Sequence, residues 1–455
     1  MPLALASPAA QPVGQRVVIL RDAETESLIR AVAHPLFRAA GLDPAGLRIT
    51  LLRAWAINAF VTTGNRMFIH SGLIQQTESV AEFAGVLAHE TGHIAGGHVS
   101  RIPEELRAAA IRQAAALLLG GLAGAAAAAT GGRGAAEAGL GVALAGQHAA
   151  MQDLLAFSRA QEQAADQAAI GLLERTGWSP AGLARLLERM QAQENLQHSR
   201  QDPYLRTHPL SRDRLDFVRE QAARLGGGER APPAGLEARY AMVRAKLDGF
   251  LDAPAITLRR YPGDAAPARY ARAIALVRSG RGAEGMALLE GLIRERPAEP
   301  WLHELKGQLL FEGGRVAEAV AAYAAAARLA PAEALIRTAH GQALIERGDA
   351  PALRLAAREL AAATSLEREW APAWRLLATA RGRLGETAAA DLALAEEAML
   401  LSDFARARML ALRAEAGLAP GPNRLRARDI LEAARRENLS PAQREAEEAR
   451  RRRER

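Results

Sequence analysis

The chain contains no cysteine. That excludes disulfides, thiolate metal sites and a cysteine nucleophile, and it leaves redox chemistry silent about the compartment. Aromatic residues make up only 4% of the chain while alanine is abundant, which favours helices over sheets. Lys246 and Lys306 are the only lysines, so the net charge of +7 comes from arginine. Those arginines are interleaved with Glu and Asp rather than gathered beside aromatic residues, so no nucleic-acid partner is expected. A convincing membrane span is also missing. The most apolar run, Ala114 to Ala129, falls short of the roughly 20 residues that a span requires, and Gly131-Gly132-Arg133-Gly134 soon breaks it. The low-complexity stretch 108–151 is therefore read as a helical hairpin, either buried or in peripheral contact with a membrane.

What is present divides along the chain. Residues 1–21 read as a leader: the start lacks a basic n-region, but Ala4-Leu5-Ala6 before Ser7-Pro8 is similar to a signal-peptide cleavage site, and a trimmed export signal or a disordered leader both suit it. Residues 22–228 mix strands and helices. Strands are predicted over Leu47 to Leu52, Ala54 to Val61 and Met67 to Ile69, the last two joined through Gly64-Asn65 as a hairpin. Apolar residues recur at helical spacing over Glu82 to His98 and over Phe157 to Glu174. Gly226-Gly227-Gly228 and Pro232-Pro233 predict a boundary, with a linker and connecting helix over 229–265. From 266 to 440 a period of 34 governs the chain: it separates Gly280, Gly314 and Gly348, and also Pro297 and Pro331. That is the tetratricopeptide period. Four units run to Leu400, Gly385 being slipped by three residues, and Phe404 to Glu437 is a fifth unit or a cap. Residues 441–455 form a charged tail. The fold class expected is mainly α: an α+β domain with a small sheet, then an α-solenoid of helix pairs.

Chemistry is concentrated in His89-Glu90-Thr91-Gly92-His93, an H-E-x-x-H sequence. On a helix, residues four apart project from one face, so both imidazoles can close on one zinc ion. Glu90, in the neighbouring sector, can take a proton from a zinc-bound water and pass it to a leaving amine. A catalytic zinc wants a third protein ligand and one open position. His98 is one residue short of the metzincin spacing. Glu162 is the other candidate. It lies four residues before Asp166, so Glu162 can reach the metal while Asp166 accepts the free N–H of a ligand histidine.

Four segments in order resemble the gluzincin metallopeptidases of family forty-eight. They are Asn58-Ala59-Phe60 through Gly72-Leu73-Ile74, the H-E-x-x-H helix, the segment from Ser158 to Asp166, and Thr207-His208-Pro209 with Arg214. The resemblance covers about 22 to 219. It implies one zinc per chain, bound by His89, His93 and Glu162, with Glu90 as general base and Asp166 orienting a ligand. It also places His208 and Arg214 at the mouth of the site, near the oxyanion or the substrate backbone. The hairpin from Thr62 to Gly72 departs from the Gly-aromatic run more usual in the family, which leaves substrate preference open. Joined to tetratricopeptide repeats, the family resemblance implies periplasmic quality control of outer-membrane proteins. Unfolded or misassembled proteins would be substrates, and the outer-membrane assembly machinery a partner reached through the repeats. Two rival readings are an integral-membrane protease of the HtpX type and a repeat scaffold with an inactive metal site. His208 precedes Pro209, which biases it toward a loop. It can plug the fourth metal position, donate to the oxyanion, or merely pack.

Overall fold

The computed structural model describes residues 18–98, 100–101, 158–196, 208–225 and 232–437. The hairpin 108–151, most of the leader and the tail beyond 437 lie outside the described residues. The chain is mainly α and divides into two compact units, 1–251 and 252–455.

In the first unit the strands are β1 (Ile19–Leu20), β2 (Arg48–Leu52), β3 (Ala59–Thr62) and β4 (Arg66–His70), in the order β1-β2-β4-β3. β2 and β4 are parallel, and the outer pairs are antiparallel. The hairpin expected at Gly64-Asn65 is present, and both residues have positive φ, at 79° and 55°. Its first strand is shorter than the 54–61 expected. Residues 54–58 instead make a loop over the start of the next helix: Gly72 donates its N–H to Ala54, and a methyl group at Gly72 would overlap the Trp55 carbonyl at 1.9 Å. The residues before Ala59 are thus committed to that helix rather than to the sheet. Ile19 and Leu20, read within the leader, instead pair with Leu52 and Leu51.

The helices are α1 (Ala23–Ala39), α2 (Ser71–Gln76), α3 (Val80–Ala95), α4 (158–175), α5 (Ala181–Leu196), α6 (Arg212–Arg224) and α7 (Leu236–Leu251). Asp22 caps α1 by accepting from the Thr25 N–H at 2.8 Å, and Ser79 caps α3 by accepting from the Glu82 N–H while the Glu82 carboxylate accepts from the Glu78 N–H. Phe37, Met67, Ile69, Phe83, Leu87 and Leu186 share one core.

Helix α7 corrects the expected boundary at 228, because it belongs to this core rather than to a linker. Tyr240 packs 5.8 Å from the Phe83 ring and shares a hydrogen bond with Thr77. The buried Lys246 ammonium lies 2.5 Å from Asp22, and Asp248 accepts from Gln75 at 2.9 Å. The Gly/Pro stretch is therefore an interruption within the unit.

The second unit opens with α8 (Pro254–Arg260). Five helix pairs follow: α9 (Ala266–Arg278) with α10 (Gly282–Glu295), α11 (Pro300–Glu312) with α12 (Val316–Leu329), α13 (Ala334–Arg347) with α14 (Ala350–Leu366), α15 (Ala371–Arg383) with α16 (Thr387–Leu400), and α17 (Phe404–Gly417) with α18 (Pro422–Glu437). In the first four pairs the helices are joined through a glycine in the left-handed region, Gly280, Gly314, Gly348 and Gly385, with φ of 84°, 74°, 79° and 80°. Inside the pairs, small residues receive large ones: a methyl group at Gly307 would stand 2.7 Å from the Tyr323 ring, and one at Gly341 2.5 Å from Leu360. The segment from Phe404, readable in sequence as a repeat or a cap, is a fifth helix pair whose Leu410 and Ile430 share a core with Leu392 and Ala395 of α16.

A chain ended after residue 251 is expected to unfold in one cooperative urea transition. Ending it after residue 235 removes Tyr240, Val243 and Leu247 from the core. At about 1.5–3 kcal/mol for each large buried side chain, the shorter chain should be less stable by at least about 3 kcal/mol. Equal stabilities for the two would show that α7 is not part of this unit.

Candidate metal centre

The site is made where two helices come unusually close. Helix α3 carries His89, Glu90 and His93, and α4 carries Glu162 and Asp166. Gly92 lies between the histidine turns, and a methyl group there would stand 2.9 Å from the Ala165 carbonyl oxygen and 3.2 Å from its Cα. The missing side chain lets the α4 backbone approach α3 between Glu162 and Asp166. Both carboxylates then reach the histidines.

His89 Nε2 and His93 Nε2 are 3.1 Å apart, and each lies 3.3 Å from an oxygen of Glu162. His208 turns its Nδ1 toward the same point, 3.4 Å from His89 Nε2 and 3.1 Å from Glu162 Oε1. Its Nε2 lies 3.3 Å from Glu90 Oε1. These four side chains, all buried, offer ligand atoms within 4.8 Å of one another.

Around them runs a shell of oriented charge. Asp166 accepts from His89 Nδ1 at 2.9 Å, so Nε2 is the nitrogen left for a metal. Arg214 donates to both Asp166 oxygens at 2.7 and 3.0 Å, to the Pro209 carbonyl at 2.8 Å, and pairs with Glu162 at 2.9 Å. Arg214 was expected at the mouth of the site, but it is buried and clamps the loop carrying His208 onto α4. A desolvated guanidinium needs carboxylates, and Asp166 and Glu162 supply them.

His98 makes a contact that spacing did not suggest. Helix α3, expected to reach His98, ends at Ala95. Gly97 adopts φ of 64°, and His98 Nδ1 comes to 3.0 Å from His93 Nδ1. The Gly-Gly pair ahead of it was the available signal.

The titrations reflect this packing. Against burial, which lowers it, hydrogen bonds to Asp166 and Glu162 raise the His89 imidazole to about 10. His93 goes the other way: burial lowers it to about 4, outweighing its bond to Glu162. Burial would raise Glu162 and Asp166, but hydrogen bonds from the histidines and, for Asp166, from Arg214 hold both below the usual carboxylate range. Burial pushes Glu90 up.

The residues fit a divalent ion. Tetrahedral nitrogen and oxygen ligands at 2.0–2.1 Å from one ion stand roughly 3.3 Å from each other, close to the separations here. Glu90, Glu162 and Asp166 against Arg214 leave two negative charges when the imidazoles are neutral, which a divalent cation balances. Glu90 is the clearest test of the fit: it is wholly buried and, although His208 Nε2 lies 3.3 Å from Oε1, its two oxygens accept no hydrogen bond from any described residue. A buried carboxylate in that condition is costly unless a further group answers it.

Residues 20–222 match peptidase family M48. That match falls within the first unit. A beta-barrel assembly-enhancing protease of Yersinia pestis is 28% identical over 258 residues, 55% of this chain and 50% of its own length. A putative beta-barrel assembly-enhancing protease of Vibrio cholerae is 29% identical over 287 residues, covering 61% of this chain and 57% of its own. Metalloprotease LoiP of Escherichia coli is 28% identical over 219 residues, 48% of this chain and 79% of its own. The chain thus spans about half the length of the first two relatives. Helix α7 lies beyond the residues that the M48 family matches.

Gly92→Ala is expected to force α4 away from α3, with overpacking of about 1–3 kcal/mol. Urea unfolding of metal-free protein should show that loss, and chelator competition should show weaker metal binding. Wild-type values in both would mean that the close approach does not set the site.

Proposed function

We propose that this chain is a zinc metalloendopeptidase. The observation that carries the proposal is the convergence of His89, His93 and Glu162 beside a buried, unbonded Glu90. Zinc at this position would lower the pKa of water to about 7 and polarise the scissile carbonyl. Glu90 takes the proton of the attacking water and delivers it to the departing amine. Its burial-raised pKa brings it nearer the operating pH, as a group that must both accept and release a proton requires. Asp166 fixes the His89 tautomer, and Arg214 holds Asp166 and Glu162 in register. Among the described residues β3 has a neighbour strand on one side only, and α3 packs against it, so its other edge is where an extended peptide would add as a further strand.

His208 decides whether the site is open. With Nδ1 in the ligand cluster, the four side chains form a closed set, and a closed tetrahedral site has no place for water. This reading makes the resting enzyme latent. When the loop shifts, His208 retracts toward Glu90 and becomes a donor to the oxyanion.

The repeats supply the client-binding part. Five stacked helix pairs provide a surface for weak, extended contacts, which raise the local concentration of a client near the cleaving unit. The names of the relatives, together with the family resemblance, support unfolded or misassembled outer-membrane proteins as clients in the periplasm, with the β-barrel assembly machinery as partner. Among the described residues no helix is long and apolar enough to cross a membrane.

Glu90→Gln is expected to keep about one zinc per chain yet lose casein hydrolysis by at least the ~10²-fold typical of a missing general base. Cleavage at the wild-type rate would sink the mechanism. The sign of the effect decides the role of His208→Ala: basal proteolysis should rise if the ring plugs the site. A strong fall in kcat with zinc intact would make it an oxyanion donor only, and no change would leave it structural.

A further inference from the structure

Helix α3 stops two residues after His93, and the turn beyond its end brings a third imidazole back to that ligand. Gly97, in the left-handed region, reverses the chain. The His98 ring then lies across Gly96, where a methyl group would stand 2.4 Å from His98 Nε2 and 2.8 Å from Cδ2. Gly96 itself has ordinary helical φ, so its glycine answers this ring and not a backbone requirement. The His98 and His93 rings meet edge to face at 5.0 Å, with an interplanar angle of 82° and the two Nδ1 atoms 3.0 Å apart. His98 is buried, and its carbonyl lies 3.4 Å from Gln161 Nε2, the residue before Glu162.

Two imidazole nitrogens at that distance share one proton, so one ring donates and the other accepts. His93 presents Nε2 to the same point as His89 Nε2 and Glu162, and an ion bound by that nitrogen would leave the proton on Nδ1. His98 Nδ1 must then be the acceptor.

We infer that His98 is a positioning residue for the metal site, accepting the Nδ1–H of His93 and holding the Nε2 of that ligand toward the ion. The inference rests on the zinc-site reading above. It gives the two ligand histidines different supports, the Asp166 carboxylate behind His89 and a neutral ring behind His93. A neutral acceptor suits the second place, because the site already buries Glu90, Glu162 and Asp166. Another carboxylate would upset the charge balance with a divalent ion.

The competing role, a ring that only fills the space over Gly96, is separable by variants of the full chain. His98→Phe keeps a ring and removes the acceptor. His98→Asn keeps an acceptor oxygen at the position of Nδ1 and removes the ring. Gly96→Ala leaves His98 intact and displaces it. Zinc affinity is read by competition with a chromophoric chelator, and the unfolding of metal-free protein is followed alongside. His98→Phe and Gly96→Ala should each lose about 10- to 100-fold in zinc affinity, the range for outer partners of metal ligands, at unchanged metal-free stability. His98→Asn should stay within a few-fold of wild type, and the cobalt-substituted spectrum should change in His98→Phe but not in His98→Asn. Wild-type affinity in His98→Phe, or an equal loss in His98→Asn, would overturn the assignment alone. A wild-type chain that takes up no zinc would overturn the zinc reading and this assignment with it.

Discussion

Two helices do not approach to backbone contact unless something small lets them. Here Gly92 does so against Ala165, and the rest of the centre depends on that contact. Glu162 and Asp166 sit one turn apart on α4, on either side of the contact point, so one meets the inward nitrogens of His89 and His93 while the other meets the outward nitrogen of His89. Arg214 and the His208 loop then attach to carboxylates already in place. Remove the close approach and each later contact loses its partner, although every residue concerned would remain in the sequence.

The centre is also a concentration of buried charge, and its arrangement explains why so few of its groups face solvent. Burial alone would neutralise Glu162 and Asp166 and strip His89 of its proton. Each instead finds an opposite charge or a donor within hydrogen-bond reach, and the shifts run against burial. Glu90 and His93 are the exceptions, since both move as burial dictates. Of the two, His93 has His89, Glu162 and His98 within 3.3 Å, while the Glu90 oxygens accept no hydrogen bond from any described residue. A finished structural ion-pair network would not leave a buried carboxylate in that condition.

How much of this is legible in the sequence depends on whether the deciding quantity is a spacing or an approach. His89, Glu90 and His93 are fixed by helix geometry alone, and so is the relation of Glu162 to Asp166. The pairing of those two helices is not, since it hangs on a glycine whose neighbour lies far along the chain. Arg214 is expected at the mouth because nothing in a sequence states whether an arginine is buried. Spacing tests His98 only as a ligand. Its relation to His93 turns on the sign of φ at Gly97 and on the empty side of Gly96, which residue spacing does not contain. In the second unit the 34-residue period is read from glycines and prolines, and the same glycines supply the left-handed turns.

Helix α7 shows the limit most clearly. Residues 226 to 233 carry the Gly and Pro signals of a linker, and those signals report only that the chain cannot continue as a helix there. Whether the next helix returns to the same core is a matter of side chains. Tyr240, Val243 and Leu247 supply the apolar side, while Lys246 and Asp248 supply polar contacts to Asp22 and Gln75. Because buried positions occur on several faces of α7, it has no single apolar stripe to read against a helical period. A buried lysine with two carboxylates in reach is a poor element for a free connector and a specific one for docking, since it fits only where those carboxylates wait. Through Tyr240 on Phe83, the same helix packs against α3 about two turns before His89, so the helix that carries the candidate site is held by a contact made by residues outside the family match.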